Sequence, residues 1–279
     1  MDLRNKKILV TGANGQLGYA IVTVFKQQRM DVIGTDRNVL DITNQEQVNQ
    51  VIQSMKPDVI IHCAAYTSVD KAESDKEKCY NTNVNGARNL AQVAKKLDIE
   101  FIYFSTDYVF DGTKAEPYET TDNPNPINYY GLTKYLGEEI VRTLLTKYYI
   151  FRISWVFGPN GKNFVNTIIR LSKEKESINV VSDQIGSPTY TIDVAEFLTK
   201  NIPINYGIHH LTNEGYISWY EFAKEIINIS NSKCFINPIK SHEYKTAAKR
   251  GLNSRIIKGK FTQLSNWKFS LKHFIGKQK

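Results

Sequence analysis

A tyrosine and a lysine four residues apart, Tyr130 and Lys134 in YGLTK, follow a loop rich in proline and asparagine, DNPNPIN. On a helix that spacing puts both side chains on one face, with the ammonium able to approach the phenol. Two unit charges about 4 Å apart at an effective dielectric near 20 interact by roughly 4 kcal/mol, equivalent to about three units of tyrosine pKa. A phenol lowered that far performs general acid–base work close to neutrality. The chain carries 16 tyrosines, and Tyr220 with Lys224 repeats the spacing. That second pair lies in SWYEFAKEII, where Trp219, Phe222, Ala223, Ile226 and Ile227 form an apolar helical face, and it reads as core packing.

Glycines at Gly12, Gly15 and Gly18, in TGANGQLG, point to a ligand for that chemistry. They follow the apolar run KKILV, read as a buried parallel strand, and precede a helical pattern with Leu17, Ala20, Ile21, Val24 and Phe25 on one face. In a strand–turn–helix of this kind the first glycine permits a tight turn, the second lets backbone approach a pyrophosphate, and the third lets helix pack on strand. The free N–H groups and dipole of the helix N-terminus then favour phosphate. A second strand, DVIGT, ends at Asp36, about where an acid reads a ribose 2′-hydroxyl, which favours NADH. Arg37 beside it is suited to a 2′-phosphate and keeps NADPH open. The expected cofactor is NADPH or NADH.

These residues need a scaffold, and the chain alternates apolar β-rich runs with helical patterns. VIIHCAA (59–65), EFIYFST (100–106) and YYIFRIS (148–154) each follow a helical stretch. Such a succession predicts an α/β fold, a doubly wound parallel sheet of the Rossmann type. Ligands in such sheets sit beyond the carboxyl ends of the strands, here near Gly12, Asp36, Ala64, Thr106 and Ser154. After Phe157 the rhythm loosens into turn-rich GPNGKN and DQIGSPT, which predicts a smaller C-terminal substrate-binding lobe. The expected division is 1–158 plus about 190–203 for the dinucleotide-binding domain, and 159–189 plus 204–279 for the lobe.

With 279 residues and 41% hydrophobic content, the chain can fill one large core and a smaller one. No apolar run reaches the length of a bilayer span, and MDLRNKK lacks a signal peptide's apolar stretch, so a cytoplasmic protein without a membrane partner is expected. Cys63, Cys79 and Cys234 are odd in number and far apart, which argues against a disulfide framework or a CxxC site. The five histidines, His62, His209, His210, His242 and His273, show no zinc-ligand spacing, and no metal is expected. A net charge of +8 is scattered rather than striped, so a nucleic-acid partner is not expected.

An ordered series of segments runs nearly end to end: TGANGQLG, LDITN (40–44), AAYTSVDKAE (64–73), NVNGARNL (83–90), STDYVFDG (105–112), YGLTKYLGE (130–138), FRISWVFG (151–158) and DQIGSPT (183–189). With these the chain resembles the extended short-chain dehydrogenase/reductase family, and within it the branch that reduces dTDP-4-dehydro-L-rhamnose to dTDP-L-rhamnose for surface polysaccharide. The resemblance implies that Tyr130 is the proton donor, that Lys134 holds the nicotinamide ribose and the tyrosine, and that Thr106 binds the reacting carbonyl oxygen. It further implies cofactor contacts from Gly12, Asn14, Gly15, Gln16, Leu17, Gly18, Asp36 and Arg37. Asp41 and Ile42 would flank the adenine, Ala64, Ala65 and Tyr66 would line the channel, and Asn83 would steady the site. Asp107, Trp155, Asn163 and Phe164 would meet the nucleotide sugar. The implied assembly is a monomer or homodimer.

One segment departs from the family. An Arg-Pro pair is usual near the end, whereas KRGLNSRII has Gly251 in the proline's place, and either Arg250 or Arg255 is left to pair with a substrate diphosphate. Two other functions share parts of the pattern. A sugar-nucleotide epimerase or 4,6-dehydratase shares the glycines and tyrosine, but a dehydratase needs an Asp-Glu pair after the threonine, and Thr106 is followed by Asp107 and Tyr108. A non-catalytic NAD(P)-binding regulatory subunit, like the one that partners methionine adenosyltransferase, has no need of Tyr130, Lys134 and Thr106 together.

Overall fold

The computed structural model describes residues 1–277. Six parallel strands, β1 (Ile8–Thr11), β2 (Val32–Thr35), β3 (Val59–His62), β4 (Glu100–Thr106), β5 (Tyr148–Ile153) and β6 (Gly207–His210), form one sheet in the order β2-β1-β3-β4-β5-β6. Every residue of β4 is buried, as its apolar stretch Phe101–Phe104 requires of a strand covered on both faces. The order reverses between β1 and β3, and a crevice opens there at the carboxyl edge.

Helices α1 (Gln16–Gln27), α2 (Gln45–Met55), α3 (Gly86–Lys96), α4 (Tyr129–Leu144), α5 (Phe164–Glu174) and α6 (Thr191–Leu198) follow in the chain, then α7 (Trp219–Ser230) and α8 (Trp267–Gly276). Alternate residues of a strand face opposite sides of a sheet. Accordingly Ile8 and Val10 join Ile21, Phe25, Val194 and Leu198 in a core under α1 and α6. Leu9 and Ile60 join Ile52, Leu90, Ala94 and Val141 under α2, α3 and α4. A third core, with Phe157, Ile168, Tyr190, Phe222, Trp267 and Phe274, unites α5, α7 and α8 in a lobe over the carboxyl edge.

The lobe is not one stretch of sequence. Residues expected to lie wholly in it from position 204 onward include β6, which pairs with β5 from Gly207↔Tyr149 to His210↔Arg152 and closes the main sheet. GIHH is four residues with two histidines, so it lacks the apolar signature of the other strands. Its burial is completed from outside the strand, since the His210 Nδ1 lies 3.0 Å from the Ile257 carbonyl oxygen.

Candidate active site

A cleft of about 800 Å³ runs along the carboxyl edge between sheet and lobe, and Gly12, Asp36, Ala64, Thr106 and Ser154 all line it. Its floor at one end is backbone. Gly12 has φ +66°, and a Cβ there would stand 2.6 Å from the Ala64 backbone, while a Cβ on Gly18 would stand 2.3 Å from the Gly12 carbonyl oxygen. Glycine is therefore required at both positions. Gly15 begins α1 with no side-chain cap and no acid in the first turn, so the helix offers its N–H groups and dipole to the cleft. An uncapped N-terminus behind a glycine-spaced turn fits a dinucleotide pyrophosphate.

Around the cradle, the Asn14 amide donates to Asp36 Oδ2 at 2.8 Å, and Asp36 Oδ1 accepts the N–H groups of Asn38 and Val39. Gln16 accepts from the Asn163 amide at 3.0 Å and donates to the Lys162 carbonyl, joining cradle to lobe. Leu17 lines the cleft too. Arg37, with 73% of its side chain exposed, reaches Asp41 at 3.2 Å. Ile42 packs where a Cβ on Gly86 would fall, 2.6 Å from its Cδ1. Ala65 and Tyr66 continue the wall. Asn83 lies outside the lining and acts from behind. Its amide oxygen accepts the Tyr66 N–H at 2.8 Å, and its Nδ2 donates to the Tyr66 carbonyl and the Thr133 hydroxyl.

Thr106 ends β4, accepts the Tyr108 N–H at 3.2 Å and donates to Asp107 Oδ1 at 3.1 Å. Tyr130 enters the same space from the first turn of α4, which Asn128 caps by accepting the Gly131 N–H at 2.8 Å. Gly131 makes that approach possible, because a Cβ there would stand 2.1 Å from the Tyr108 carbonyl oxygen. The Tyr108 ring meets the Tyr130 ring edge-on at 5.9 Å. Lys134, one turn further, is buried with its Nζ 4.1 Å from the centre of the Tyr103 ring.

The electrostatics differ from the expectation of a phenol lowered toward neutrality. Burial, with Asp107 adding to it, drives the Tyr130 phenol upward, against the lowering by the Thr106 hydroxyl. Burial also lowers the Lys134 ammonium to about 8. Helical spacing alone did not foresee that the ammonium sits over the Tyr103 ring, or how completely both groups leave water. Tyr130 therefore keeps its proton until something accepts it. Asp107, likewise buried, is raised to about 6 by loss of solvent, against lowering by the Ser254 and Thr106 hydroxyls.

The other end of the cleft is aromatic. Trp155 sits at φ +47°, unusual for a bulky residue. Its ring stacks on Trp219 at 3.4 Å and 7°, and Gly186 lies against it, where a Cβ would stand 2.3 Å from the ring. Phe164 packs on Trp219 at 4.4 Å, and Phe222 completes the wall. In sequence Trp219 and Phe222 belong to an apolar helical face, and no spacing separates a cleft-lining ring from a core one. Tyr220 packs against the lobe core, with Lys224 Nζ 5.4 Å over its own ring.

Asn163, Arg250 and Arg255 stand outside the lining. Asn163 caps α5 by accepting the Asn166 N–H at 2.9 Å. Arg250 forms two bonds to the Asp70 carboxylate, at 2.9 and 2.7 Å, near Tyr108. The Arg255 Nε donates to the Asn253 amide oxygen at 2.9 Å, and its Nη2 donates to the Ala115 carbonyl. A Cβ on Gly251 would stand 2.4 Å from both the Asp111 oxygen and the Gly112 Cα. Two backbones meet there, which accounts for glycine rather than proline. Among the described residues no group of three or more His, Cys, Asp or Glu is placed to hold a metal ion. None of the described helices is long and apolar enough to cross a membrane.

A parallel sheet with a glycine cradle at its switch point, and a buried Tyr–Lys pair across the cleft, define a Rossmann-type NAD(P)-binding protein of the short-chain dehydrogenase/reductase kind. Residues 6–279 match the family described as RmlD substrate binding domain, and the chain belongs to it. It is 40% identical to the dTDP-4-dehydrorhamnose reductase of Aggregatibacter actinomycetemcomitans, over 96% of this chain and 97% of that one. It is 37% identical to the spore coat polysaccharide biosynthesis protein SpsK of Bacillus subtilis, over 96% of each. A Bacillus anthracis dTDP-4-dehydrorhamnose reductase, solved in complex with NADP, superposes with a TM-score of 0.93 at 43% identity, covering 99% of this chain and all of that one.

Proposed function

We propose that this chain is an NAD(P)H-dependent oxidoreductase that reduces the C4 keto group of dTDP-4-dehydro-L-rhamnose to give dTDP-L-rhamnose. The observation that carries the reading is the meeting of Thr106, Tyr130 and Lys134 in one cleft with an uncapped glycine cradle. Reduced nicotinamide, when bound, supplies the hydride to C4. Tyr130 gives its proton to the carbonyl oxygen, and burial has kept that proton in place for the step. The Thr106 hydroxyl turns from Asp107 to donate to the same oxygen, which stabilises the charge developing there. Lys134 holds the nicotinamide ribose and offsets the phenolate left on Tyr130. Trp155, Trp219 and Phe164 enclose the sugar side and exclude water. Arg250 releases one bond to Asp70 in favour of the diphosphate, to which its planar fork is suited.

Residues 1–158 with 190–203 and β6 form the dinucleotide-binding part, and the remainder forms the substrate lobe. The chain works in the cytoplasm as a monomer or homodimer, on a soluble nucleotide sugar. Following NADPH and NADH oxidation with dTDP-4-dehydro-L-rhamnose tests the reading. Turnover with both cofactors is expected. A higher kcat/KM for a UDP- or GDP-linked 4-keto sugar would overturn the substrate assignment, and loss of no cofactor with any keto sugar would overturn the activity.

A further inference from the structure

Behind the cleft lies a buried ion pair that the mechanism above does not use. Arg152, on β5, donates from Nε and Nη2 to the two carboxylate oxygens of Glu138, on α4, at 3.0 and 2.7 Å. Their side chains are 2% and 0% exposed. Desolvating two charges in this way cancels most or all of their attraction, and well-packed apolar residues often do as well or better. Stability alone does not account for the pair. Its place in the fold suggests what does: Glu138 lies one helical turn beyond Lys134, on the same face of α4.

Lys134 has little else to compensate its charge. On its own helix it faces Tyr130 and Glu138. From β4 the Tyr103 ring lies beneath its Nζ, and the Tyr103 hydroxyl donates to the Lys134 carbonyl at 3.2 Å. Gly137 leaves room for that hydroxyl, since a Cβ there would stand 2.2 Å from it. From the end of β3 come His62 and Cys63, and from the short helix Lys76–Tyr80 comes Cys79. Burial raises the Tyr103 phenol and both thiols, and lowers His62 to about 3, so all four are neutral in ordinary buffers. Glu138 is the carboxylate among these neighbours. Arg152 projects its charge the other way, toward His210, where it opposes protonation. Its guanidinium is also 5.0 Å over the Phe110 ring.

We propose that Glu138, held in one orientation by Arg152, is a positioning residue that acts through Lys134, whose buried ammonium it keeps charged. The proposal rests on the reductase reading only for its consequence in turnover; the charge state of Lys134 is measurable without cofactor or substrate. Removing the carboxylate lowers the Lys134 pKa, so the ammonium is lost at lower pH. An activity that needs the ammonium then declines earlier on its alkaline side.

The test uses full-length protein labelled with [ε-¹³C]lysine, with the Lys134 resonance assigned by its loss in Lys134→Met. Its titration midpoint is compared in the parent, Glu138→Gln, and the double variant Glu138→Gln/Arg152→Met, which removes the orphaned guanidinium and guards against misfolding. In both variants the midpoint is expected to fall by about one pH unit. The alkaline limb of NADPH affinity, read by cofactor fluorescence, is expected to fall with it. A midpoint unchanged in both variants overturns the proposal. A midpoint lowered in Glu138→Gln and restored in the double variant overturns it too, because the unpaired guanidinium would then be the cause. Failure of NADPH to bind the parent would count against the reductase reading and leave the titration result standing.

Discussion

The two ends of the cleft are made from different materials. At the dinucleotide end the floor is backbone, shaped by Gly12, Gly15 and Gly18 within one strand–turn–helix, and the N–H groups of the α1 N-terminus face it. At the sugar end the surface is aromatic side chains, Trp155, Phe164, Trp219 and Phe222, drawn from a strand edge and two helices far apart in the chain. Pyrophosphate is common to every dinucleotide and can be read by a rigid turn. A sugar must be told from its relatives, and in the proposed function side chains on separate elements supply that discrimination. Tyr130 stands between the two ends.

Tyr130→Phe is expected to have the largest effect, a fall in single-turnover rate of roughly 10²–10⁴-fold with cofactor affinity nearly unchanged, as for loss of a general acid. Tyr220→Phe should leave the rate almost intact. Equal losses in the two folded variants would place the chemistry elsewhere. Gly18→Ala comes next, because its Cβ would press on the Gly12 carbonyl oxygen. A loss of about 2–3 kcal/mol in cofactor binding, roughly 10²-fold in Kd, is expected by titration, while the KM for nucleotide sugar measured at saturating cofactor should hold.

The sugar end should show the reverse. Trp219→Ala removes one plate of the stack and is expected to raise the nucleotide-sugar KM by about tenfold, near 1.4 kcal/mol, without moving cofactor Kd. If cofactor affinity falls as far as sugar affinity, the two ends are not separable. The smallest effect belongs to Arg37, which is mostly exposed and tied to Asp41. Arg37→Ala should weaken NADPH relative to NADH by about 0.5–1 kcal/mol, the scale of a solvent-screened ion pair. Parallel titrations that show equal changes for both cofactors would remove Arg37 from 2′-phosphate recognition.

How much of this could be read beforehand follows the same division. The sheet, its α1 cradle and the start of α4 were legible because each depends on neighbours in sequence: an apolar run, glycines three apart, a tyrosine and lysine one turn apart. β6 was not, because GIHH becomes a strand through pairing with β5 and cover from the Ile257 segment. Trp219 was not, because an apolar helical face looks the same in sequence whether its end meets a core or a cleft. Asn163 caps a helix and Arg255 bonds Asn253.

By itself the amino-acid order determined that this chain builds a parallel sheet with a dinucleotide turn at one edge and a tyrosine–lysine pair aimed at it, since periodicity and steric room act over a few residues. The charge states of that pair were decided by tertiary structure. Burial depends on every element that closes over a group, and it raised Tyr130 where spacing alone argued for lowering it. Tertiary structure likewise set Lys134 over Tyr103 and Arg152 against Glu138, because the energy of a charge depends on the solvent excluded and the partners gathered around it, wherever in the chain they originate.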